Sequence, residues 1–311
     1  MANKIAVLGS INIDTTYRVN EFPKPGQTIQ ALSKSSTGGG KGNNQAVAAA
    51  RSEAQTYFIG MVGTDDEGKF MLENLAEEGI NTDLISQNKE IGTGTALVTL
   101  NSAGQNDIMV YGGANQAMTT EVLNGSEAVL AQVDFLLAQN ETPQEVTLAA
   151  FKLAKSLGVT TIFNPAPAGK IMPALLEYTD IIIPNETECQ ALTGSEITDE
   201  ASMQAAANAF KEMGVGTLLI TLGSKGVYYS TPSSQGLVPA FKVQALDTTA
   251  AGDTFIGALA SQLSKDLSNI VPALTYAQKA SSLAVQKMGA ASSIPSAEEI
   301  KTALTRWFIV K

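Results

Sequence analysis

The chain has 311 residues, 44% of them hydrophobic, which is enough to bury one large core. Its formal net charge of −10 makes nucleic acid and anionic membranes unfavourable as general partners, because like charges repel. Histidine is absent and cysteine occurs once, which excludes Ser-His-Asp and Cys-His catalysis, imidazole-bound zinc and an internal disulfide.

Short runs of valine, isoleucine and leucine alternate along the chain with longer segments of helical periodicity. The predicted strands cover residues 4–9, 56–62, 133–138, 160–163, 180–184, 217–222 and 226–230. The predicted helices cover residues 43–54, 67–78, 143–157, 201–213, 252–263, 270–287 and 297–308. This alternation is typical of βαβ units, and it predicts a mostly parallel sheet with helices on both faces.

Capping chemistry predicts where several helices begin and end. Thr142 is a candidate N-cap, because Pro143 follows at the first helical position and Glu145 can reach back to it. Ser296 and Glu299 have the spacing of a second capping box. Glycines commonly end helices in the left-handed conformation, and those that follow predicted helices are Gly79, Gly158 and Gly214.

Residues 15–36 and 93–111 interrupt the strand–helix alternation with extended, alternating sequence. We interpret them as a small β-rich flap on the main domain, and a pair of ordinary surface hairpins is the alternative. The lack of an internal repeat or an obvious linker favours one domain over residues 1–311. No stretch is typical of a signal peptide or a membrane-spanning helix, so a cytoplasmic location is expected.

Residues 63–70, with the sequence GTDDEGKF, nearly match the phosphate-binding P-loop pattern. Phe70 stands where serine or threonine must hold magnesium, and three acidic residues lie where phosphate would bind. We therefore predict an ordinary loop and helix start here. The GxGxxG fingerprint of a dinucleotide-binding fold is also missing, which argues against a nicotinamide-dependent dehydrogenase.

The strongest candidate site is the sequence DTTAAGDTFIGAL at residues 247–259. The small residues Ala250, Ala251 and Gly252 lead into an apolar helix, whose free backbone N–H groups predict an anion site. Asp253 is expected in the first helical turn, where a carboxylate beside a bound phosphate would act as a base toward an attacking hydroxyl. An aspartate that merely interacts with the helix dipole is the alternative.

A glycine-rich sequence, GGGKGNN at residues 38–44, precedes an alanine-rich helix. Glycine lets a backbone approach a ligand closely, and the amides of Asn43 and Asn44 can donate to and accept from hydroxyl groups. A flexible loop with an asparagine cap is the alternative.

Asn12 and Asp14 follow the first predicted strand, at the edge where ligands bind in parallel sheets. Because they alternate with apolar residues, both side chains face the same side of an extended segment. An amide and a carboxylate on one face can pair with neighbouring hydroxyls of a sugar. A turn in which both side chains satisfy the local backbone is the alternative.

Two turn motifs follow later strands. The sequence PNETE at residues 184–188 is typical of an asparagine-capped helix start. The sequence TLGSKG at residues 221–226 is typical of a glycine-rich hairpin turn. Neither motif by itself indicates a function.

In this order and spacing, the five motifs resemble those of the ribokinase family of sugar kinases, and the similarity spans essentially the whole chain. The sequence around Asp253 is typical of the wider carbohydrate kinase superfamily, whereas Asn12, Asp14 and residues 40–44 point to the ribokinase family itself. The resemblance implies a three-layer α/β/α sandwich with a mostly parallel central sheet. It also implies a small β-sheet lid that covers the sugar and can mediate a homodimer.

The resemblance further implies a set of site residues. The sugar would be held by Asn12, Asp14, Gly40, Lys41, Gly42, Asn43, Asn44, Glu141 and Asp253. The nucleotide would lie against Asn185, Thr221, Leu222, Gly223, Ser224, Lys225, Gly226, Gly252 and Gln278. An activating potassium ion would be bound, partly through backbone carbonyls, by Asp247, Thr249, Ala284, Lys287, Gly289 and Ser293. Glu188 would lie near magnesium, so that ATP, Mg²⁺ and K⁺ are the implied cofactors.

Three positions depart from the family's pattern. Gly38 adds a glycine to the usual pair, and Asn43 stands where a small residue is common. Gln278 stands where histidine or asparagine is expected near the adenine. The departures concern loop packing and the adenine contact, and they leave Asn44 and Asp253 in place.

The implied activity is ATP-dependent phosphorylation of D-ribose at O5, with Asp253 as the catalytic base and an anion hole at Ala250 to Asp253. Another sugar or nucleoside, such as 2-deoxyribose or adenosine, is the alternative substrate within the family. Asp14 would repel an acidic or phosphorylated sugar. A sugar-binding protein without turnover is a second hypothesis, against which the intact pair of Gly252 and Asp253 argues.

Overall fold

The structure, a computed structural model, describes residues 2–310, with side chains to residue 306. The predicted domain covers residues 1–311, and its terminal residues Met1 and Lys311 lie outside the described part. The strands are β1 Lys4–Leu8, β2 Asn12–Arg18, β3 Ser33–Gly39, β4 Gln55–Gly63, β5 Asn81–Asn88, β6 Gly94–Leu100, β7 Asn106–Tyr111, β8 Phe135–Gln139, β9 Thr160–Asn164, β10 Ile181–Ile182, β11 Thr217–Thr221, β12 Val227–Ser230 and β13 Gln235–Val238. The helices are α1 Lys41–Arg51, α2 Asp66–Glu77, α3 Glu127–Leu130, α4 Gln144–Ser156, α5 Pro173–Glu177, α6 Glu186–Thr193, α7 Glu200–Glu212, α8 Ala251–Gln262, α9 Ile270–Ala284 and α10 Ala297–Val310.

Nine strands form a large sheet in the order β13-β12-β11-β10-β9-β8-β1-β4-β5. From β11 to β5 the neighbouring strands are parallel, whereas β12 and β13 are antiparallel additions at one edge. In the central strand β1, Ile5 and Leu8 and the two residues between them have no exposed surface. A strand covered on both faces needs apolar side chains throughout, which is why the parallel strands are continuous apolar runs in the sequence.

Helices cover both faces of the large sheet and complete two separate cores. Ile5 and Val7 belong to one core together with residues of α1, α8 and α9. Ala6 and Leu8 belong to the other, together with residues of α4 and α7. This division follows from the two-residue period of a strand. The predicted three-layer α/β/α sandwich is therefore confirmed.

A second, four-stranded sheet has the order β3-β2-β6-β7. Strand β2 pairs antiparallel with β3 and parallel with β6, and β7 pairs antiparallel with β6 at the outer edge. The two interrupting segments, residues 15–36 and 93–111, thus contribute to one small sheet rather than to two separate hairpins. The sheet extends beyond these segments, because β2 begins at Asn12 and β3 ends at Gly39.

The boundaries predicted for the strands and helices of the main domain agree with the structure to within three residues. Two of these differences have a clear position in the fold. The strand predicted over residues 180–184 is reduced to Ile181–Ile182, since Pro184 lacks the N–H group that a central strand needs. The helix predicted over residues 270–287 ends at Ala284. Strands β5 and β13 were not predicted, because they form the two edges of the large sheet and carry few apolar residues.

Most of the capping predictions hold. Ser296 N donates to Glu299 Oε2 at 2.8 Å and Glu299 N to Ser296 Oγ at 3.2 Å, which confirms this capping box. The predicted cap at Thr142 is wrong, because Pro143 itself occupies the N-cap position of α4 and Thr142 Oγ1 instead lies 3.5 Å from Thr147 Oγ1. The glycines predicted to end helices all have positive φ: Gly79, Gly158 and Gly214.

The near match to a P-loop is a loop and a helix start, as predicted. Asp65 caps α2, because its Oδ1 accepts a hydrogen bond from Gly68 N at 2.9 Å. Its Oδ2 accepts from Thr93 N at 2.7 Å, so that the side chain fills the centre of the turn. Among residues 2–310, no helix has both the length and the apolar character needed to cross a bilayer.

Candidate active site

Polar residues, some of them predicted and some not, gather at the edge of the large sheet where its parallel strands end. Gln139 ends β8, Asn164 ends β9 and Thr221 ends β11. The first turns of α1 and α8 lie beside them, since Gln45 of α1 hydrogen-bonds both Asn164 and Asp253 of α8. Ligands of open α/β sheets bind at this edge.

Helix α8 begins with small residues and an unusual backbone conformation. Ala250, at the N-cap, lies in the left-handed region with a φ of 58°. No side chain caps the helix. Ala251 N donates to Thr248 O at 3.2 Å, and the next N–H groups of the first turn, those of Gly252 and Asp253, are left for a ligand. Gly252 faces open space, because an added Cβ would meet no atom within 4 Å. These are the features expected of an anion site.

A cavity of about 200 Å³ lies at this helix start. Polar groups from the ends of several strands and from α1 line it, and Lys41 contributes a positive charge. Its lining includes Lys41, Asn164, Asn185, Glu188, Thr221, Thr248 and residues 250–253. A larger hollow of about 470 Å³ lies at the opposite edge of the sheet, around the ion pair of Lys155 and Asp180. That hollow contains none of the predicted site residues, so volume alone does not locate the site.

Asp253 is buried in the first turn of α8, with 6% of its surface exposed. Its Oδ2 accepts a hydrogen bond from Asn44 Nδ2 at 3.1 Å, and its Oδ1 accepts one from Gln45 Nε2 at 3.0 Å. Both donors lie on α1, which packs closely against α8 at Gly257. A Cβ at Gly257 would lie 2.3 Å from the backbone oxygen of Gln45, so a larger residue would force the two helices apart.

The glycine-rich loop at residues 38–44 packs against the end of β1. An added Cβ at Gly42 would lie 2.6 Å from Ser10 N. One at Gly40, whose φ is 89°, would lie 2.9 Å from Ser10 O. Backbone packing alone therefore requires glycine at these two positions, and α1 begins directly after them at Lys41.

Glu141 connects this loop to the end of β1. Its Oε2 accepts hydrogen bonds from Ser10 Oγ at 2.5 Å and from Lys41 N at 3.0 Å. The negative charge of Asp253, and to a smaller extent those of Glu141 and Glu188, raises the pKa of the Lys41 ammonium group. Lys41 is therefore positively charged at neutral pH.

Asn12 and Asp14 lie on β2 of the small sheet. Asn12 Oδ1 accepts a hydrogen bond from Asn115 Nδ2 at 2.8 Å, so it does not bond to the adjacent backbone as the alternative turn would require. The Asp14 carboxylate lies over Gly39, where an added Cβ would be 2.2 Å from it. Burial, and secondarily the charge of Glu141, raises the pKa of Asp14 to about 6.

A second cavity, of about 390 Å³, adjoins the first, and Asn185, Thr221, Ala251 and Gly252 line both. Its other walls include Glu186, Thr187, Gly223, Gly226, Phe255, Gln278 and Ser281. Three residues predicted to contact a nucleotide do not line it: Leu222, Ser224 and Lys225. The Lys225 ammonium group instead pairs with Glu186, with 3.2 Å between Nζ and Oε1.

Asn185 and Glu188 form a capping box at the start of α6. Asn185 Oδ1 accepts from Glu188 N at 2.8 Å, while Glu188 accepts from Asn185 N at Oε2 and from Asn185 Nδ2 at Oε1, both at 2.9 Å. Burial raises the pKa of Glu188, which is 6% exposed. The predicted helix start thus also holds a carboxylate at the wall of the first cavity.

Asp247 joins the loop before α8 to the loop after α9. Its Oδ1 accepts from Thr249 N at 2.9 Å and from Thr249 Oγ1 at 2.6 Å, and its Oδ2 accepts from Gly289 N at 3.0 Å. The Ser293 hydroxyl donates to Ala290 O at 2.8 Å. Residues predicted to bind potassium are thereby brought together at one end of α8. In the part of the chain that is described, no group of three or more Asp, Glu or Cys side chains forms a metal site.

Lys287 and Ala284 take part in other contacts. Lys287 N donates to Ala284 O at 3.0 Å, and Lys287 Nζ forms an ion pair with Glu299 at 2.8 Å. Only the backbone of Lys287 is therefore suited to a cation.

Sequence reasoning missed several polar residues that the structure places in the site. Ser10 lies between the first predicted strand and Asn12, Asn164 directly follows the strand predicted over residues 160–163, and Gln45 directly follows the predicted Asn44. Asn115 carries no local signal. It is 1% exposed, and its Oδ1 accepts from Ile11 N at 2.9 Å while its Nδ2 contacts Asn12. Contacts across about a hundred residues of sequence cannot be read from a local pattern.

Comparisons with known proteins agree on one family. The model of the pfkB family carbohydrate kinases matches residues 2–297. The ribokinase of Staphylococcus aureus is 47% identical over 302 residues, which are 96% of this chain and 99% of that protein. The ribokinase of Haemophilus influenzae is 43% identical over 299 residues, 96% of this chain and 97% of that protein. The structure of Arabidopsis thaliana ribokinase complexed with ribose and ATP has a TM-score of 0.91 at 32% identity, covering 98% of this chain and 99% of that one.

Proposed function

Because the chain belongs to the pfkB family of carbohydrate kinases, we propose that it transfers the γ-phosphoryl group of ATP to O5 of D-ribose, giving D-ribose 5-phosphate and ADP. The ribokinases to which it is similar support this substrate pair. The observation that carries the proposal is the buried carboxylate of Asp253 in the uncapped first turn of α8. A base and an anion site are thereby adjacent in one cavity.

The sugar lies between the small sheet and the glycine-rich loop. Asp14 accepts hydrogen bonds from sugar hydroxyls, because the protein supplies its carboxylate with no donor of its own among residues 2–310. The amides of Asn12, Asn43 and Asn44 complete the contacts. Glu141 and the loop backbone from Gly40 to Gly42 shape the same wall. The small sheet acts as a lid that excludes water, so that ATP is not hydrolysed.

In the transfer step, the carboxylate of Asp253 takes the proton of the O5 hydroxyl while a bond forms between O5 and the γ-phosphorus. The bond from that phosphorus to the bridging oxygen breaks, and ADP leaves with the electron pair. The anion hole predicted at Ala250 to Asp253 binds the transferred group through its free backbone N–H groups. The positive charge of Lys41 stabilises the negative charge that gathers there.

The nucleotide lies in the second cavity, along Asn185, Thr221, Gly223, Gly226 and Gln278. Its terminal phosphate reaches Gly252, which lines both cavities. Leu222, Ser224 and Lys225 belong to the same turn as Gly223 and Gly226, and they stay predicted nucleotide contacts.

The residues present fit a magnesium ion and a potassium ion. Glu188 presents a buried carboxylate to the first cavity, where it would hold magnesium directly or through water. Magnesium would neutralise phosphate charge. Potassium would bind carbonyl oxygens of the two loops that Asp247 joins, and would keep the anion-hole loop in place. The remaining ligands are those predicted above: Thr249, Ala284, Lys287, Gly289 and Ser293.

The proposed potassium site has a test of its own, which compares two salts of different cation size. We expect initial rates in potassium to exceed those in tetramethylammonium at equal ionic strength, because the larger cation cannot enter the loop site. Potassium should also raise the melting temperature of the sugar-free protein. Equal rates and equal melting temperatures in both salts would contradict the site.

The small sheet also supports a homodimer. On β7, the consecutive residues Ile108, Met109, Val110 and Tyr111 are 51–66% exposed, so neither face of this edge strand is covered. A second copy of the sheet would cover them. Replacing Val110 by aspartate should convert a dimer to a monomer in sedimentation equilibrium. A wild-type protein that is monomeric at micromolar concentration would contradict the homodimer.

The predicted place of action is the cytoplasm, and the use of ATP as the phosphoryl donor favours it.

The substrate is tested by ADP release with D-ribose, 2-deoxyribose, adenosine and fructose 6-phosphate, each with and without potassium. We expect D-ribose to be preferred, and 2-deoxyribose to lose about 10- to 100-fold in kcat/KM, because a buried polar group is left without its hydroxyl. Fructose 6-phosphate should be the poorest, since Asp14 repels its phosphate. Preference for 2-deoxyribose or adenosine would reassign the substrate, and sugar binding without ADP release would reject the kinase.

A further inference from the structure

Gln45 is a glutamine with no exposed surface, and it sits at the centre of a buried chain of amides. Its Oε1 accepts a hydrogen bond from Gln139 Nε2 at 2.8 Å. Its Nε2 donates to Asn164 Oδ1 at 3.2 Å and to Asp253 Oδ1 at 3.0 Å. Four elements, α1, β8, β9 and α8, therefore meet at this one side chain.

The direction of this chain of hydrogen bonds is set by a backbone group. Asn164 Nδ2 donates to Ile183 O at 2.9 Å, and a carbonyl oxygen can only accept. The amide oxygen of Asn164 must then face Gln45, which turns the nitrogen of Gln45 toward both Asn164 and Asp253. This orientation of the amides leaves one acceptor unsatisfied, because Gln139 Oε1 is buried without a hydrogen-bond partner.

The geometry points to Gln45 as the positioning residue of the proposed base: it donates to Asp253 Oδ1 from a side chain with no exposed surface and so fixes the orientation of the carboxylate. This inference rests on the proposed function. The donor at Oδ1 fixes the rotation of the carboxylate, while Oδ2 accepts from the amide of Asn44, which is itself a proposed sugar contact. Gln45 itself cannot touch the sugar, because it has no exposed surface.

The test is Gln45→Met, which keeps the size of the side chain and removes its hydrogen bonds. We expect kcat for D-ribose to fall about 10- to 100-fold, because the base is no longer held in its productive orientation. KM for ribose should stay within about threefold, since ground-state contacts are kept. A kcat within about twofold of the wild type, or a raised KM with kcat unchanged, would overturn the inference.

A double-mutant cycle separates positioning from general structural damage. In an Asp253→Ala background, Gln45→Met should change the residual rate less than about twofold, because the group through which it acts is gone. An equal loss of kcat in both backgrounds would show that Gln45 does not act through Asp253. The matched control is Gln262→Met, which removes an amide of α8 that contacts Ser52 O and Ser261 Oγ and not Asp253; its kcat should stay near that of the wild type.

Should Gln45→Met not fold, Gln139→Leu removes the donor that holds Gln45 Oε1. We expect about a 3- to 10-fold loss of kcat at unchanged ribose KM, because Gln45 can then rotate. An unchanged kcat in a folded Gln139→Leu protein would contradict the oriented chain. The two proposals fail differently: a fully active Asp253→Ala protein would reject the base itself, whereas an inactive Asp253→Ala with a fully active Gln45→Met would reject only the role of Gln45.

Discussion

Asp253 on α8 and Asp14 on the small sheet are both predicted to face the sugar, but the protein surrounds their carboxylates differently. Asp253 receives an amide donor at each oxygen, from Asn44 and from Gln45. Asp14 is partly buried, yet no donor among the described residues contacts it, and desolvation raises its pKa to about 6. A carboxylate whose two oxygens already accept hydrogen bonds from the protein is held in place for proton transfer. A carboxylate without such donors is able to accept hydrogen bonds from the hydroxyls of a ligand.

The largest effect is expected from removing the negative charge of Asp253. Asp253→Asn should lower kcat about 10²- to 10⁴-fold with ribose binding largely kept, because an amide cannot accept the proton of O5. Steady-state ADP release and ribose titration measure the two quantities. Asp266→Asn, in the exposed turn after α8, is the control and should be near wild type. Turnover near that of the wild type in Asp253→Asn would remove this residue as the base.

The converse effect is expected at the small sheet. Asp14→Asn should raise the ribose KM about 10- to 100-fold and change kcat little, because charge-assisted bonds to the sugar are lost in ground state and transition state alike. Gly39→Ala should act in the same direction, since its Cβ would lie 2.2 Å from the Asp14 carboxylate. If Asp14→Asn lowered kcat and left KM unchanged, the two aspartates would not differ as described.

A pH dependence sharpens the comparison further. With a pKa of about 6, Asp14 is mostly protonated at pH 5 and mostly ionised at pH 7. If only the ionised form accepts the sugar, the ribose KM of the wild type should fall by up to about ninefold between these values, as the ionised fraction rises from roughly 10% to roughly 90%. This change should disappear in Asp14→Asn. A KM that varies equally in both proteins would assign the titration to another group.

The smallest expected effect is on stability, and it has opposite signs for the two residues. The raised pKa of Asp14 means that ionisation disfavours the folded state, so its destabilising contribution is absent below the unfolded pKa of 3.8 and complete above about 6. Asp14→Asn should therefore raise the melting temperature of the sugar-free protein by about 2 °C at pH 7 and by less at pH 5. Asp253→Asn should lower it, because its amide NH₂ would face the donor of Asn44 or Gln45. Calorimetry that finds the same sign for both variants would contradict the comparison.

The partial success of the sequence analysis follows from the range of the interactions involved. The helix start at Ala250 and the capping box of Ser296 depend on neighbouring residues, and both are found in the structure. Edge strand β13 was missed, because an edge position is a property of the sheet and not of its four residues. Thr142 failed as a cap because the register of a helix relative to its proline depends on how the helix packs.

The sequence by itself determined the layered α/β fold, since periods of two and 3.6 residues record which side chains are buried. It also determined which functional groups are available to the site, because the residues of the motifs carry these groups as side chains. Only the tertiary structure decided which of those groups meet: Gln45 with Asp253 across 208 residues, Asn115 with Asn12 across 103. Desolvation and hydrogen bonding depend on such distant neighbours, and this is why two aspartates of the same chain differ in their hydrogen-bond partners and in their proposed roles.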